Sequence, residues 1–247
     1  MNDFTNRIEE LAERCERRGI FVYTDFLNPT KAEEAGRVAK SKGVKIEFYG
    51  GTENAERVMA RLGDKEEFGY DEEYPVKLLK IECTGGKFAS PITHRDVLGA
   101  ILNLGIDRDK TGDIFVNGIF AYIFAEEKIA EFILKELESV GRNAVKITEA
   151  KELPDEFKVT IIEMEISVSS NRVDAIISRL YGLSREQSSA LFKNGFAAIN
   201  GKQTDKGEKE LREGDVVAVR GKGKFKFLGE GGTSKKGKLY VRLGVYE

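Results

Sequence analysis

Apolar positions along this chain follow two periods, and the switches between them set an order of elements. Ile8, Leu11, Ala12 and Cys15 recur at i, i+3, i+4 and i+7, which predicts an opening amphipathic helix. Phe21-Val22-Tyr23 predicts a short strand. Asn28-Pro29-Thr30 gives a cap-like start to a second helix, carried by Ala32, Ala35, Val38 and Ala39 and stopped at Gly43. Val44–Tyr49 reads as a strand, Gly50-Gly51 as a turn, and Ala55–Leu62 as a third helix capped by Thr52. A Gly-Gly turn before a helix can seat a phosphate. This one lacks the lysine of a phosphate loop and the GxGxxG spacing, so it is read as a structural turn. Residues 63–74 are acidic and turn-rich, a linker closed by Pro75.

From Val76 the pattern is βαββαβ. Val76–Cys83 is a strand, and Thr93 caps a helix through Leu104 with Asp96 as its box partner. Asp113–Val116 and Ile119–Phe124 form a hairpin about Asn117-Gly118. Ile129, Phe132, Ile133 and Leu137 stripe a second helix, and Ala144–Thr148 closes the sheet. The order predicts a ferredoxin-like sandwich, a topology shared with the RNA-recognition fold. Phe120, Tyr122 and Phe124 share one strand face. The strand does not fit the basic-aromatic consensus of base-stacking sheets and its surroundings are acidic, so that face is expected to pack on a neighbouring domain or partner.

Lys151–Phe157 is a polar connector, and Lys158–Ser167 a strand leading into the last third. There Val173, Ile176, Ile177 and Leu180 stripe a short helix broken by Gly182. Ser184-Arg185-Glu186-Gln187 is a capping box that opens a second helix, ended by Gly195. Phe196–Asn200 is a strand, Asn200-Gly201 a tight turn, Glu213-Gly214-Asp215 another, and Val216–Arg220 a further strand. Arg220, Lys222, Lys224 and Lys226 then alternate with Gly221, Gly223, Phe225 and Phe227. In an extended strand this puts cations on one face.

Charge sharpens this picture. The whole chain of 247 residues carries a net −2, yet residues 167–247 hold 16 Lys/Arg against 9 Asp/Glu, a balance of +7, leaving −9 for the rest. A basic third on an acidic body implies a polyanion partner for that third. Composition also excludes chemistry. There are two cysteines, Cys15 and Cys83, and one histidine, His94, so a disulfide framework, a cysteine-rich zinc site and a multi-histidine metal centre are excluded. No apolar run approaches the ~20 residues of a membrane span, and no secretory signal is seen at Met1-Asn2-Asp3-Phe4, so a cytoplasmic protein is expected.

The ordered set Arg172-x-Asp174, Arg179-Leu180, Leu183-Ser184-Arg185, Ser188, Lys193-x-Gly195, Ile199-Asn200-Gly201-Lys202 and Glu213-Gly214-Asp215 resembles the S-four (alpha-L) RNA-binding module. Val173, where Leu is common, and Ala198 are mild departures. The whole chain resembles the YlmH family of bacterial proteins bearing that module. The further marks are Gly50-Gly51 with Ala55-Glu56-Arg57, Ile92-Thr93-His94-Arg95-Asp96 with Leu98-Gly99-Ala100, Leu104-Gly105-Ile106-x-Arg108, and Gly112-Asp113-Ile114. The resemblance implies an α+β protein of three parts. These are an N-terminal α/β domain (1–75), a ferredoxin-like, RNA-recognition-like middle domain (76–157) and an S-four RNA-binding domain with its lead-in strand (158–247). It implies binding of ribosomal RNA and tRNA on the large ribosomal subunit, in ribosome-associated quality control or rescue of stalled translation, and an association with cell-division gene clusters.

Arg172, Arg179, Ser184, Arg185, Ser188, Lys193, Asn200, Lys202, Arg220, Lys222 and Lys224 are the expected RNA-binding residues, and His94, Arg95 and Arg108 a secondary interaction face. Cations neutralise phosphates and release counterions, while hydroxyls and helix N-termini fix register. No catalytic residue, metal, cofactor or small-molecule substrate is expected. Arg172-Val173-Asp174 echoes a pseudouridine-synthase motif without its continuation, no glycine-rich S-adenosylmethionine loop follows a strand, and His94-Arg95-Asp96 lacks the other kinase motifs. An RNA-modifying enzyme that uses the module for docking, and a cell-division interaction factor, are the alternatives.

Overall fold

The stripe Ile8, Leu11, Ala12 and Cys15 is the buried face of α1 (Asp3–Arg18) in the computed structural model, which describes residues 3–157, 160–234 and 237–246. Two units are present, one of residues 1–158 and one of residues 159–247.

In the first unit, β1 (Val22–Leu27) is followed by α2 (Pro29–Ser41), whose Asn28 cap accepts the Lys31 N–H at 2.9 Å. β2 (Ile46–Tyr49), β3 (Val58–Leu62) and the single turn α3 (Lys65–Phe68) complete the N-terminal part. Its antiparallel sheet has the order β1-β3-β2, and α1 and α2 share a core with β1 and β3. The helix expected over Ala55–Leu62 is corrected: Val58–Leu62 is the central strand, with Leu62 opposite both Val22 and Ile46. A strand covered on both faces shows no alternation, because Met59, Ala60, Arg61 and Leu62 are all buried. Arg61 is tolerated there because its guanidinium lies between the Phe21 and Tyr74 rings, 4.5 and 5.2 Å from their centroids, and pairs with Asp71 and Glu47 at 2.6 Å each.

β4 (Val76–Cys83), α4 (His94–Asn103), β5 (Thr111–Asn117), β6 (Phe120–Glu126), α5 (Glu127–Glu136), β7 (Ser139–Val140) and β8 (Asn143–Ala150) follow. The strands form one antiparallel sheet of order β5-β6-β4-β8-β7. The capping box of α4 is made in full: Thr93 Oγ1 accepts the Asp96 N–H and the Asp96 carboxylate accepts the Thr93 N–H. The β5–β6 turn is shifted by one residue from the expected Asn-Gly. Asn117 pairs Phe120, so Gly118-Ile119 is the loop, with positive φ at the glycine alone, the glycine-first pattern of a type II′ turn.

α4 and α5 cover the sheet face of Leu79, Ile81, Ala121 and Ile123. Phe132, expected in the buried stripe of α5, is exposed instead. On the opposite sheet face Leu78, Tyr122 and Phe124 pack with Phe26 and Met59 of the N-terminal sheet and with Leu153 and Phe157 of the connector. The Tyr122 and Phe157 rings meet edge-on at 4.7 Å. The aromatic face is thus the floor of an internal junction. Gly51 belongs to it: at φ +90°, its missing side chain leaves room for the Phe124 ring, which a Cβ would meet at 2.2 Å. The Gly-Gly turn is therefore structural.

The second unit contains β9 (Ile161–Val168), α6 (Val173–Tyr181), α7 (Arg185–Lys193), β10 (Ala197–Ile199), β11 (Lys202–Gln203), β12 (Val216–Val219), β13 (Gly223–Thr233) and β14 (Leu239–Tyr246). Its sheet runs β11-β10-β12-β13-β14-β9, and Val173, Ile176, Ile177 and Phe192 of the helices pack on Phe225, Phe227, Val241 and Leu243. Asn200-Gly201 is a two-residue turn with φ +50° and +76°, the type I′ geometry that suits Asn-Gly. The expected continuous strand of alternating cations is corrected. Val219 pairs Gly223, so Arg220-Gly221-Lys222 is a hairpin loop turned by Gly221 at φ +74°. Lys224 and Lys226 alone keep the alternation, opposite the buried Phe225 and Phe227.

Candidate nucleic-acid interface

The start of α6, the α6–α7 turn and the start of α7 enclose an open groove of about 510 Å³, lined by Arg172, Asp174, Ser178, Arg179, Arg185 and Ser188 among others. Local chemistry fixes its shape. Gly182, at φ +64°, ends α6; Ser178 Oγ donates to the Leu183 carbonyl at 2.6 Å, and the Leu183 N–H returns to the Ser178 carbonyl. Two residues on, Ser184 Oγ accepts the Gln187 N–H at 3.1 Å while Gln187 Oε1 accepts the Ser184 N–H at 2.9 Å. Turn and box together set the angle at which Arg179 and Arg185 face the groove.

The three arginines differ in state. Arg172, the residue before α6, donates from Nε and Nη2 to the Asp174 carboxylate at 3.1 and 2.6 Å and also pairs with Glu208 at 3.3 Å. The hydrogen bond to Asp174 raises its pKa further. Arg179 and Arg185 are exposed and make no ion pair among the described residues. Two uncompensated guanidiniums in a shared concavity attract an anion. The Val173 and Asp174 N–H groups already donate to the Lys209 and Gly207 carbonyls, so cation side chains, rather than the first amides of α6, dominate the site.

Ser188, expected on the exposed face, is corrected: it is fully buried and its hydroxyl donates to the Asp174 carbonyl at 2.8 Å, tying α7 to α6. Asn200 serves the turn, its Nδ2 donating to Asp215 at 2.7 Å and its Oδ1 accepting the Val216 N–H at 2.9 Å. Lys193, Lys202, Arg220 and Lys222 are exposed outside the groove, Lys193 at the far end of α7, Lys202 in β11, and the other two in the β12–β13 loop. Lys224 is half-buried with its ammonium 4.5 Å over the Tyr246 ring, and burial lowers its pKa.

In the first unit, His94 and Arg95 open α4 and are exposed. Desolvation, and then the charge of Arg108, lowers the His94 pKa. Arg108 is corrected from a surface contact to a scaffold. Its Nη1 donates to Thr111 O, Thr111 Oγ1 and Gly112 O at 2.7, 2.8 and 2.9 Å, and burial followed by the charge of Arg57 lowers its pKa to about 10. Sequence reasoning missed its two partners. Arg57 Nε donates to Thr111 O, and its Nη2 to Phe26 O and Arg108 O, at 3.0–3.2 Å. Asp113 accepts the Glu56 and Arg57 N–H groups at 2.7 and 3.2 Å; burial pushes its carboxyl up to about 6, against the pull of those bonds and the two guanidiniums. The signal was present in the spacing Glu56-Arg57 and Gly112-Asp113, but nothing in it pairs the two segments. The cluster fastens the N-terminal part to the middle part. No group of three His, Cys, Asp or Glu among the described residues is placed to hold a metal.

Residues 70–153 match the family model described as "Putative RNA-binding domain in YlmH". The chain is 30% identical over 221 residues to the "Ribosome-associated protein quality control protein P2" of Bacillus subtilis (strain 168), covering 88% of this chain and 84% of that one. The structure described as "Cell division protein ylmH from Streptococcus pneumoniae" matches 60% of this chain and 88% of its own at a TM-score of 0.51 and 22% identity, a likeness of fold.

Proposed function

The chain belongs to the YlmH family, and from that premise we propose that it is a non-catalytic, cytoplasmic RNA-binding protein that associates with ribosomal RNA and tRNA on the large ribosomal subunit in ribosome-associated quality control. The second unit is read as the S-four (alpha-L) module and the strand order β8-β4-β6-β5 with two helices on one face as a ferredoxin-like middle domain. The observation that carries the reading is the groove in which Arg179 and Arg185 stand exposed and uncompensated beside the pinned Arg172. Its preformed shape suits phosphates of a folded RNA. The relative named as a quality-control protein supplies the ribosomal context.

The middle domain supports this reading only by a surface other than its aromatic sheet face, since Tyr122 and Phe124 are buried. Arg95, at the start of α4, is one of the exposed cations there. The test is sedimentation of the full chain through a sucrose gradient with ribosomal subunits, followed by crosslinking. Co-migration with large subunits and crosslinks from the α6–α7 segment are expected. Migration with division proteins free of subunits overturns the reading.

A further inference from the structure

Phe196 follows the Gly195 stop of α7 and keeps 37% of its surface exposed, although its neighbours Phe192 and Ala197 are buried. Its backbone is fixed on both sides. The N–H donates to the Leu191 carbonyl and the carbonyl accepts the Arg220 N–H, each at 2.8 Å. The Arg220 guanidinium lies 5.2 Å over the ring. Arg220 makes no ion pair among the described residues, and Lys222 of the same loop and Lys193 three residues before Phe196 are both exposed. Along the chain, Lys193 lies three residues from the ring and Lys222 two residues from its guanidinium.

We propose that Phe196 and Arg220 form a stacking site for an unpaired nucleobase of the bound RNA, with Lys193 and Lys222 taking the phosphates that flank it. The inference rests on the RNA-binding reading above and adds a second subsite to it. Aromatic rings and guanidinium planes are the two side-chain surfaces on which splayed-out bases stack, and the contact tolerates any base. The groove lies at the N-terminal end of α7 and the ring just past its C-terminal end, some 12 Å along the helix axis. One folded RNA can therefore place a helical phosphate in the groove and a nucleotide leaving that helix on the ring.

The test uses the full chain and an RNA hairpin with single-stranded flanks in which fluorescent aminopurine replaces each flank base in turn. Binding is expected to quench one flank position. Phe196→Ala abolishes that quench and weakens binding on the order of ten-fold, leaving the salt dependence unchanged, while Phe196→Tyr keeps both quench and affinity. A bound hairpin quenched at no position, or equally by Phe196→Ala, overturns the stacking site while leaving the groove intact. A wild-type chain that fails to bind the hairpin and ribosomal RNA alike overturns both.

Discussion

Ser188 and Asp113 show how a polar residue is spent inside this molecule. The hydroxyl of the fully buried Ser188 donates to a carbonyl of α6. Ser188→Ala removes this bond while the Asp174 carbonyl keeps its place in the α6 helix, and is expected to cost about 0.5–1.5 kcal/mol, seen as a lowered denaturation midpoint, with RNA affinity unchanged where the chain is folded. Asp113 is a half-buried carboxyl whose folded pKa, about 6, lies above the ordinary value near 3.9. The sign follows from linkage. Its contribution to stability is fully present below ~4 and is lost as pH rises through about 6. A melting curve series should show the midpoint falling across that window in the wild type and a shallower fall in Asp113→Asn; carboxyl chemical shifts report the titration directly. Arg57 and Asp113 were not legible in the sequence because their partners are backbone groups of residues 26, 56, 108 and 111. Single residues announce a charge, but not a carbonyl they will meet.

Elements whose signals are local were legible. The stripes of α1, α2 and α6 and the boxes at Thr93 and Ser184 depend on neighbours within four residues. Ser184→Ala should cost α7 about 1 kcal/mol, and because the box orients Arg185 it should also weaken RNA binding, a coupling that calorimetry of folding and binding on one sample can check. Elements defined by distant partners were misread. β3 looks helical because both its faces are buried, and β12 stops at Val219 because the Gly221 turn returns the chain to pair with it. β14, which closes the sheet between β13 and β9, carries alternation that sequence reasoning did not use.

At the scale of the whole molecule, the acidic body and basic third divide labour. The first unit uses its aromatic face to join its own parts, so Phe124→Ala should cost about 3–5 kcal/mol in the unfolding of residues 1–158 without touching the groove. His94 stands exposed at a helix start, and no group of three His, Cys, Asp or Glu placed to hold a metal is found among the described residues. His94→Ala should keep ribosome association; loss of an RNA modification in that variant would revive an enzymatic reading. The basic module was the most legible site, since charge, caps and stripes all lie in one short segment. Its sorting into exposed Arg179 and Arg185, pinned Arg172 and buried Ser188 needed the packing of α6 on α7.

The central claim is tested most directly by equilibrium binding to large-subunit ribosomal RNA over a salt series, comparing the wild type with Arg179→Glu/Arg185→Glu. Circular dichroism of the variant should be unchanged, since both side chains are exposed. Affinity at physiological salt should fall by at least about 100-fold, and the slope of log affinity against log salt should shrink by roughly one per lost phosphate contact. Unchanged affinity and slope in a folded variant would contradict the account.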